Sequence, residues 1–264
     1  MKKALALFLV IISLTAVVFG TTSCSSKPLS IVSDVFGTEH YYFPVGTAEI
    51  SESSFSNKEF LKGVTIPTSV MKIGSKAFAG CTNLTTIIFA KGSNLKIVDS
   101  RAFADLKAIE EIVLPEGVTT IEWRAFSGCT ALTELSIPSS ITYIADDAFP
   151  GCTSLTYNEY AGASYLGNDE NPYLVLVKFN DAEASTATIH KDTKIIYGSS
   201  FFGCHNITSI EIPAGVVQIG GNTFYHCSDL TSIVFGGNAD QWSAVTKGGS
   251  WDYDTGAYTV TYKK

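Results

Sequence analysis

The chain is poor in positive charge: 18 lysines and arginines stand against 25 aspartates and glutamates, for a formal net charge of −7 and a pI near 5.1. Binding a phosphate backbone needs clustered cationic side chains, so no nucleic acid is expected as a partner. Histidine is scarce too, with four residues at positions 40, 190, 205 and 226. The sequence has no glycine-rich phosphate loop, no His-Glu-x-x-His, no Gly-x-Ser-x-Gly and no dinucleotide fingerprint. Without these, no cofactor is expected and the chain reads as a non-enzyme. Carboxylates are the one catalytic inventory left, and a pair such as Asp146 with Glu170 keeps a surface glycan hydrolase as a remote alternative.

Apolar residues are plentiful. They make up 45% of 264 residues against 16% charged, ample for a packed core. One apolar stretch stands apart: Ala4 to Gly20 follows Lys2 and Lys3, is broken only by Ser13 and Thr15, and leads to Thr21-Thr22-Ser23-Cys24. It is shorter than the roughly 20 residues of a membrane span and has the anatomy of a signal peptide over residues 1–23. Cys24 stands where a bacterial lipoprotein accepts its lipid, and Ser25, Ser26 and Lys27 begin a polar tether, although Thr21 departs from the aliphatic residue preferred there. The expectation is an exported, surface-exposed protein of the bacterial envelope that meets the membrane through a lipid anchor on Cys24.

The remainder repeats itself. Phe55, Phe78, Phe103, Phe126, Phe149, Phe201 and Phe224 follow at steps of 23, 25, 23, 23, 52 and 23. Five residues before each stands Ile50, Ile73, Val98, Ile121, Ile144, Ile196 or Ile219; six after stands Leu61, Leu84, Ile109, Leu132, Leu155, Ile207 or Leu230. A fixed period in the twenties with these columns marks a leucine-rich-repeat solenoid, in which no unit buries its apolar side alone and neighbours share one core. The fold expected is a mainly β solenoid, with parallel strands stacked in a right-handed coil between N- and C-terminal caps. In "LTELSIP", Leu132, Leu135 and Ile137 point inward on a strand ended by Pro138, and "ITYIADDAF" adds a second extended piece and a turn carrying Phe149. Eight such rungs would make a rod of about 40 Å. The step of 52 predicts a degenerate repeat with an insertion over residues 157–190, and "NPYLVLVKF" within it reads as a strand or one arm of a hairpin. Flanking it, residues 24–40 read as tether and start of the N-terminal cap, 41–156 and 191–235 as repeats, and 236–264 as the C-terminal cap.

The units "IPTSVMKIGSKAFAGCTNL" and "IPAGVVQIGGNTFYHCSDL", with "YLGNDENPYLVLVKF" and "FGGNADQWSAVTKGGSWDYDTGAYTV", resemble the BspA-like leucine-rich repeat family of bacterial surface proteins over residues 44–262. The resemblance implies a lipid-anchored, adhesin-like binding protein whose partners are host or bacterial surface proteins or glycans. It implies no defined ligand site. The alternative is a structural envelope or spacer protein without a dedicated ligand.

Two constellations invite chemistry. Cys81, Cys129, Cys152, Cys204 and Cys227 fall one per repeat at an inward position, with Lys58 and Leu106 in the other copies, so buried free thiols are expected rather than disulfides. Cys204, His205, His226 and Cys227 are zinc-ligand types on adjacent rungs, but a residue beside an inward cysteine points away from it, and no metal is expected. For a ligand, strand alternation aims the second and fourth residues after each leucine outward. That face holds Thr86, Glu111, Glu134, Ser136, Ser209 and Glu211, with Ile88, Val113, Ser232 and Val234 beside them. The insertion is the best local candidate for a specific role.

Overall fold

Proline and the residues of left-handed turns shape each repeat. The computed structural model describes residues 31–33 and 39–263. In the second repeat Gly63–Ile66 is extended with Val64 and Ile66 buried, and Pro67, which cannot donate to a ladder, ends the strand. Val70 returns to the core, Lys72–Ile73 forms a two-residue strand, and a tight turn carries Ala77, Phe78 and Cys81 inward before Leu84 opens the next repeat. That turn needs two left-handed residues. Lys76, Arg101, Arg124 and Asn222 take the first place at φ of 55°, 56°, 54° and 54°. The second belongs to Gly80, Gly128, Gly151 and Gly203, or to Asn57, Asp105 and His226, types that enter this region with least strain. This is why glycine precedes cysteine in four of the units.

Stacked repeats build two ladders of parallel strands. The short strands Glu49–Ile50, Lys72–Ile73, Ile97–Val98, Thr120–Ile121 and Tyr143–Ile144 make one unbroken sheet, aliphatic on aliphatic. The longer strands form a ladder in three groups: Glu39–Tyr42, Gly63–Ile66 and Thr86–Phe89; then Glu111–Val113 and Glu134–Ser136; then Thr186–Thr188, Ser209–Ile212, Ser232–Phe235 and Thr259–Tyr262. Ile31–Ser33 runs antiparallel along Glu39–Tyr42. After Phe235 the tail makes a short helix, Ala239–Ala244, started by reciprocal hydrogen bonds between Asn238 and Gln241. It then sets Thr246–Lys247 beside Gln218–Ile219, in a separate six-stranded sheet that also holds Ile195–Ile196 and the strands of the insertion, and Thr259–Tyr262 beside Ser232–Phe235, forming a further rung.

The expected single rod is not what forms: the stack turns a corner at the insertion, and there are two cores. The first runs from Tyr41 to Leu155 and closes on Leu166, Leu174, Val175 and Ile195. The second holds Leu176, Phe179, Ile196 and the columns through Leu230 to Val245. Between them stands a shared wall. On the strands Val175–Phe179 and Ile195–Ile196, successive side chains point to opposite faces, so Val175 and Ile195 serve the first core while Leu176 and Ile196 serve the second. Within residues 157–190 an antiparallel meander, Asn158–Tyr160, Ala163–Leu166 and Val175–Phe179, leads into a rung in parallel register, with Val175 and Leu176 beside Ile195 and Ile196 and Thr186–Thr188 beside Ser209–Ile212. The phenylalanine column also divides. Phe55, Phe78, Phe103, Phe126 and Phe149 stack at 5.2 to 6.0 Å and end on Tyr197 at 5.4 Å. Phe201 stacks on Phe179 at 5.0 Å instead.

The corner is held by side chains that face outward from the second stack. Ending a stack of parallel strands leaves backbone groups unpaired, which is costly when buried. Gln218 answers this with its carboxamide: Oε1 accepts from Ile144 N–H at 2.9 Å and Nε2 donates to Ile144 C=O at 2.7 Å. Tyr197 Oη accepts from Ala148 N–H at 2.8 Å, and Lys194 Nζ donates to Ser139 C=O. Asp146 of the first stack sits in a notch of glycines, where a Cβ on Gly198 or Gly220 would lie 2.7 or 2.4 Å from its Oδ1. One rung's end is thus closed by another stack's side.

Candidate binding face

On the longer strands alternation does what the sequence requires of it. Ile112 and Leu135 are buried while Glu111, Val113 and Glu134 are exposed and Ser136 is half-buried. Thr86 and Glu211 are exposed and Ser209 is half-buried. The structure does not gather all six into one patch, because the breaks in the ladder divide them. Glu111 and Glu134 lie directly opposite each other on paired strands, and neither has an ion pair among the described residues. Like charges at such a pair cost stability, which a cationic partner would relieve. Glu211, in the third group, is already paired with Lys263. Thr86 belongs to the first group and makes no strand pair with Glu111.

Where the second group meets the insertion, a polar cleft of about 340 Å³ opens. One wall is Glu134 and Ser136; the other is Tyr157, Asn158, Asn168 and Asp169. The loop that carries the second wall is fixed by its own chemistry. Gly167 C=O accepts from Ile137 N–H at 2.8 Å, and Asn168 Nδ2 returns a bond to Ile137 C=O at 2.8 Å. Asn168 Oδ1 also accepts from Glu170 and Asn171 N–H, and a Cβ on Gly167 would lie 2.1 Å from Asn171 C=O, so only glycine fits. Burial pushes the Tyr157 phenol up, keeping it a neutral hydroxyl. Amides, hydroxyls and two carboxylates around a ring edge can hydrogen-bond a polyol or hold a basic side chain. Sequence reading singled out Glu134 and Ser136 but not Asn168 or Asp169, although the turn-rich run Gly167-Asn168-Asp169 lay inside the flagged insertion.

On the other side of Asn158–Tyr160 lies a second cleft of about 430 Å³, bounded by Tyr160, His190, Lys191 and Glu211. His190 packs against Tyr173 at 4.1 Å and edge-on against Tyr160 at 4.8 Å. Its place in the proline column of the repeat is therefore used for an aromatic cluster.

A model of the BspA type leucine rich repeat region matches residues 37–165 and 177–244, in six copies. The chain belongs to the BspA-type leucine-rich repeat family. Among solved structures, this BspA-type chain is similar to the leucine-rich repeat protein of T. pallidum at 18% identity, with 86% of each chain covered and a TM-score of 0.42. It is similar to a leucine-rich repeat protein from Bacteroides ovatus at 19%, covering 91% of this chain and 71% of that one, with a TM-score of 0.40. A leucine-rich cell surface protein from Faecalibacterium prausnitzii matches at 17%, covering 86% of this chain and 98% of that one, with a TM-score of 0.35. No curated protein matches the chain.

The cysteine of the BspA-type unit is structural. Cys81, Cys129, Cys152, Cys204 and Cys227 are free and buried. In four of them the thiol donates to the carbonyl of the preceding rung's phenylalanine: Cys81 to Phe55 at 2.9 Å, Cys129 to Phe103 and Cys152 to Phe126 at 3.0 Å, and Cys227 to Phe201 at 3.2 Å. Burial pushes the Cys81 thiol up and Cys227 up to about 12, far from a nucleophile's thiolate. Of the zinc-type residues nearby, His205 is exposed and His226 pairs with Asp254. Among the described residues no three His, Cys, Asp or Glu side chains gather as metal ligands. Cys24, the expected lipid site, lies outside the described residues.

Proposed function

We propose that this BspA-type protein is a non-catalytic binding protein of the bacterial cell surface, anchored through lipid on Cys24, which offers its longer-strand face to protein or glycan partners. The observation that carries the reading is the polar cleft beside Glu134, where a loop rigidified by Asn168 faces a carboxylate that has no ion pair among the described residues. The lipoprotein-like N-terminus supports the location. The chemistry favours a partner that brings a basic group and several hydroxyls or amides. The test screens the purified chain against glycan and matrix-protein arrays, then repeats any hit with Glu134→Gln and Asn168→Ala and with rising salt. Saturable binding that weakens about tenfold or more in either variant supports the reading. No saturable binding, or protection of the protein from external protease on intact cells, leaves the structural spacer in its place.

A further inference from the structure

The longer-strand ladder has a second opening, well away from the cleft at Glu134. Thr86–Phe89 and Glu111–Val113 belong to consecutive repeats, yet they do not pair, so each presents an unpaired edge to the other. The sequence departs from the other repeats at this place. Where other repeats run from strand to core as Ile66-Pro67-Thr68-Ser69-Val70, this one reads Phe89-Ala90-Lys91-Gly92-Ser93-Asn94-Leu95, two residues longer and without the proline. The ladder opens beside this longer turn only toward Glu111–Val113; toward Gly63–Ile66 the same strand stays paired in full. The short-strand sheet stays paired there, and Phe78, Phe103 and Phe126 stay stacked at 5.7 and 5.6 Å.

The opening reaches the core. Ile87 stands in the column of Val64 and Ile112, and Phe89 in that of Ile66 and Leu114, all of which are at most 3% exposed; Ile87 and Phe89 are only partly buried. Outward neighbours Ile88 and Val113 are 47% and 52% exposed. The slot between the strands measures about 450 Å³ and is lined by Ile87, Ile88, Phe89 and Val113, with Lys91 on one lip and Glu116 on the other. Glu110 and Glu111 add negative charge to the Glu116 lip, and none of the three has an ion pair among the described residues.

We propose that this slot accepts an extended segment of a partner protein as an added β-strand. The segment pairs with the Thr86–Phe89 edge, lays alternate apolar side chains over Ile87 and Phe89, and sets a basic residue against Glu111 and Glu116. Three requirements converge on that occupant: an open edge that needs backbone partners, inward apolar columns that need covering, and an acidic lip that needs a cation. A glycan meets neither of the first two. The inference uses residues outside the cleft at Glu134, so its failure would leave the proposed function as it stands.

The test uses the purified chain and a synthetic peptide, Lys-Val-Thr-Val-Thr-Val-Lys, with titration by fluorescence anisotropy and hydrogen exchange on the complex. Expected are saturable binding and slowed exchange of the amides of Ile87 and Phe89, which alternate with those already donated to the Gly63–Ile66 side. Replacing the central valine by proline, which cannot pair, should cost about tenfold or more. Glu111→Gln with Glu116→Gln should weaken binding severalfold and flatten its salt dependence. Ile88→Lys and Val113→Lys change exposed positions and leave the fold intact, so loss of binding in these variants places the peptide in the slot even if inward substitutions unfold the chain. Equal binding of the proline peptide, or protection confined to other strands, overturns the proposal. So does protection of the Ile87 and Phe89 amides, which face the open edge, without peptide: if concentration-dependent it assigns the slot to a second copy, and if not, to the chain's own N-terminal segment.

Discussion

Replacing Gln218 by leucine should separate the two stacks. Leucine keeps most of the volume, so packing at this position, only 4% exposed, is largely preserved. What is lost is the pair of hydrogen bonds at 2.9 and 2.7 Å to both backbone groups of Ile144. Each buried group left without a partner costs about 1–3 kcal/mol, so losing both should weaken the corner by roughly 2–6 kcal/mol. In a repeat protein stability is close to a sum of nearest-neighbour terms, and a loss of this size at one interface uncouples what lies on either side. The three tryptophans allow the two stacks to be watched separately: Trp123 belongs to the first, and Trp242 and Trp251 pack on the second core. In urea, Trp123→Phe and Trp242→Phe/Trp251→Phe backgrounds should report coincident transitions with Gln218 and separated ones with leucine. Faster hydrogen exchange at the Ile144 amide should accompany the change. Coincident transitions within about 0.5 kcal/mol of the parent would refute the assignment, because this is the scatter expected of a substitution that breaks nothing.

Two further outcomes follow from the core and the short-strand sheet. The five buried thiols should resist an aromatic disulfide reagent in the folded protein at pH 8 and react only at the rate of unfolding, whereas rapid native-state labelling of Cys227 would contradict its burial and its pKa of about 12. Burial works to raise the Asp99 carboxyl, but hydrogen bonds from Lys72 at 2.8 Å and Ser100 N–H at 2.6 Å hold it below the usual carboxylate range. A carboxylate depressed on folding stabilises above its unfolded pKa of about 4 and loses that contribution as pH falls through the folded value. Lys72→Met should therefore lower Tm at pH 6 and leave it nearly unchanged at pH 2, and an equal loss at both would sink the pair's role.

Much of this architecture was legible because each buried column repeats. Ile73 beneath Val98, or Phe103 beneath Phe126, needs only a fixed step to be found, and inward cysteines followed from the same register. The corner was not legible, because it is built by positions that face outward everywhere else. Tyr143 and Gln218 occupy equivalent places in their repeats, one exposed and one buried, and nothing periodic distinguishes them. A trace existed in Ile195-Ile196, where a half-exposed residue gives way to a second aliphatic, as a strand with a core on both faces demands. On the longer strands the alternation of outward and inward residues was legible strand by strand. The division of these strands into groups was not, since strand pairing is a tertiary outcome, and the two extra residues between Phe89 and Leu95 appear in the sequence only as a longer step.

The carboxamide of Gln218 stands in for a peptide unit, and this bears on how such a chain can lengthen over generations. The corner touches the last rung of the first stack and the opening rungs of the second. Duplicating a whole repeat between Tyr41 and Thr119 would change none of these contacts, and neither would adding one after Leu230. Each arm can therefore grow or shrink by inheritance on its own, with the bend between them carried along unchanged.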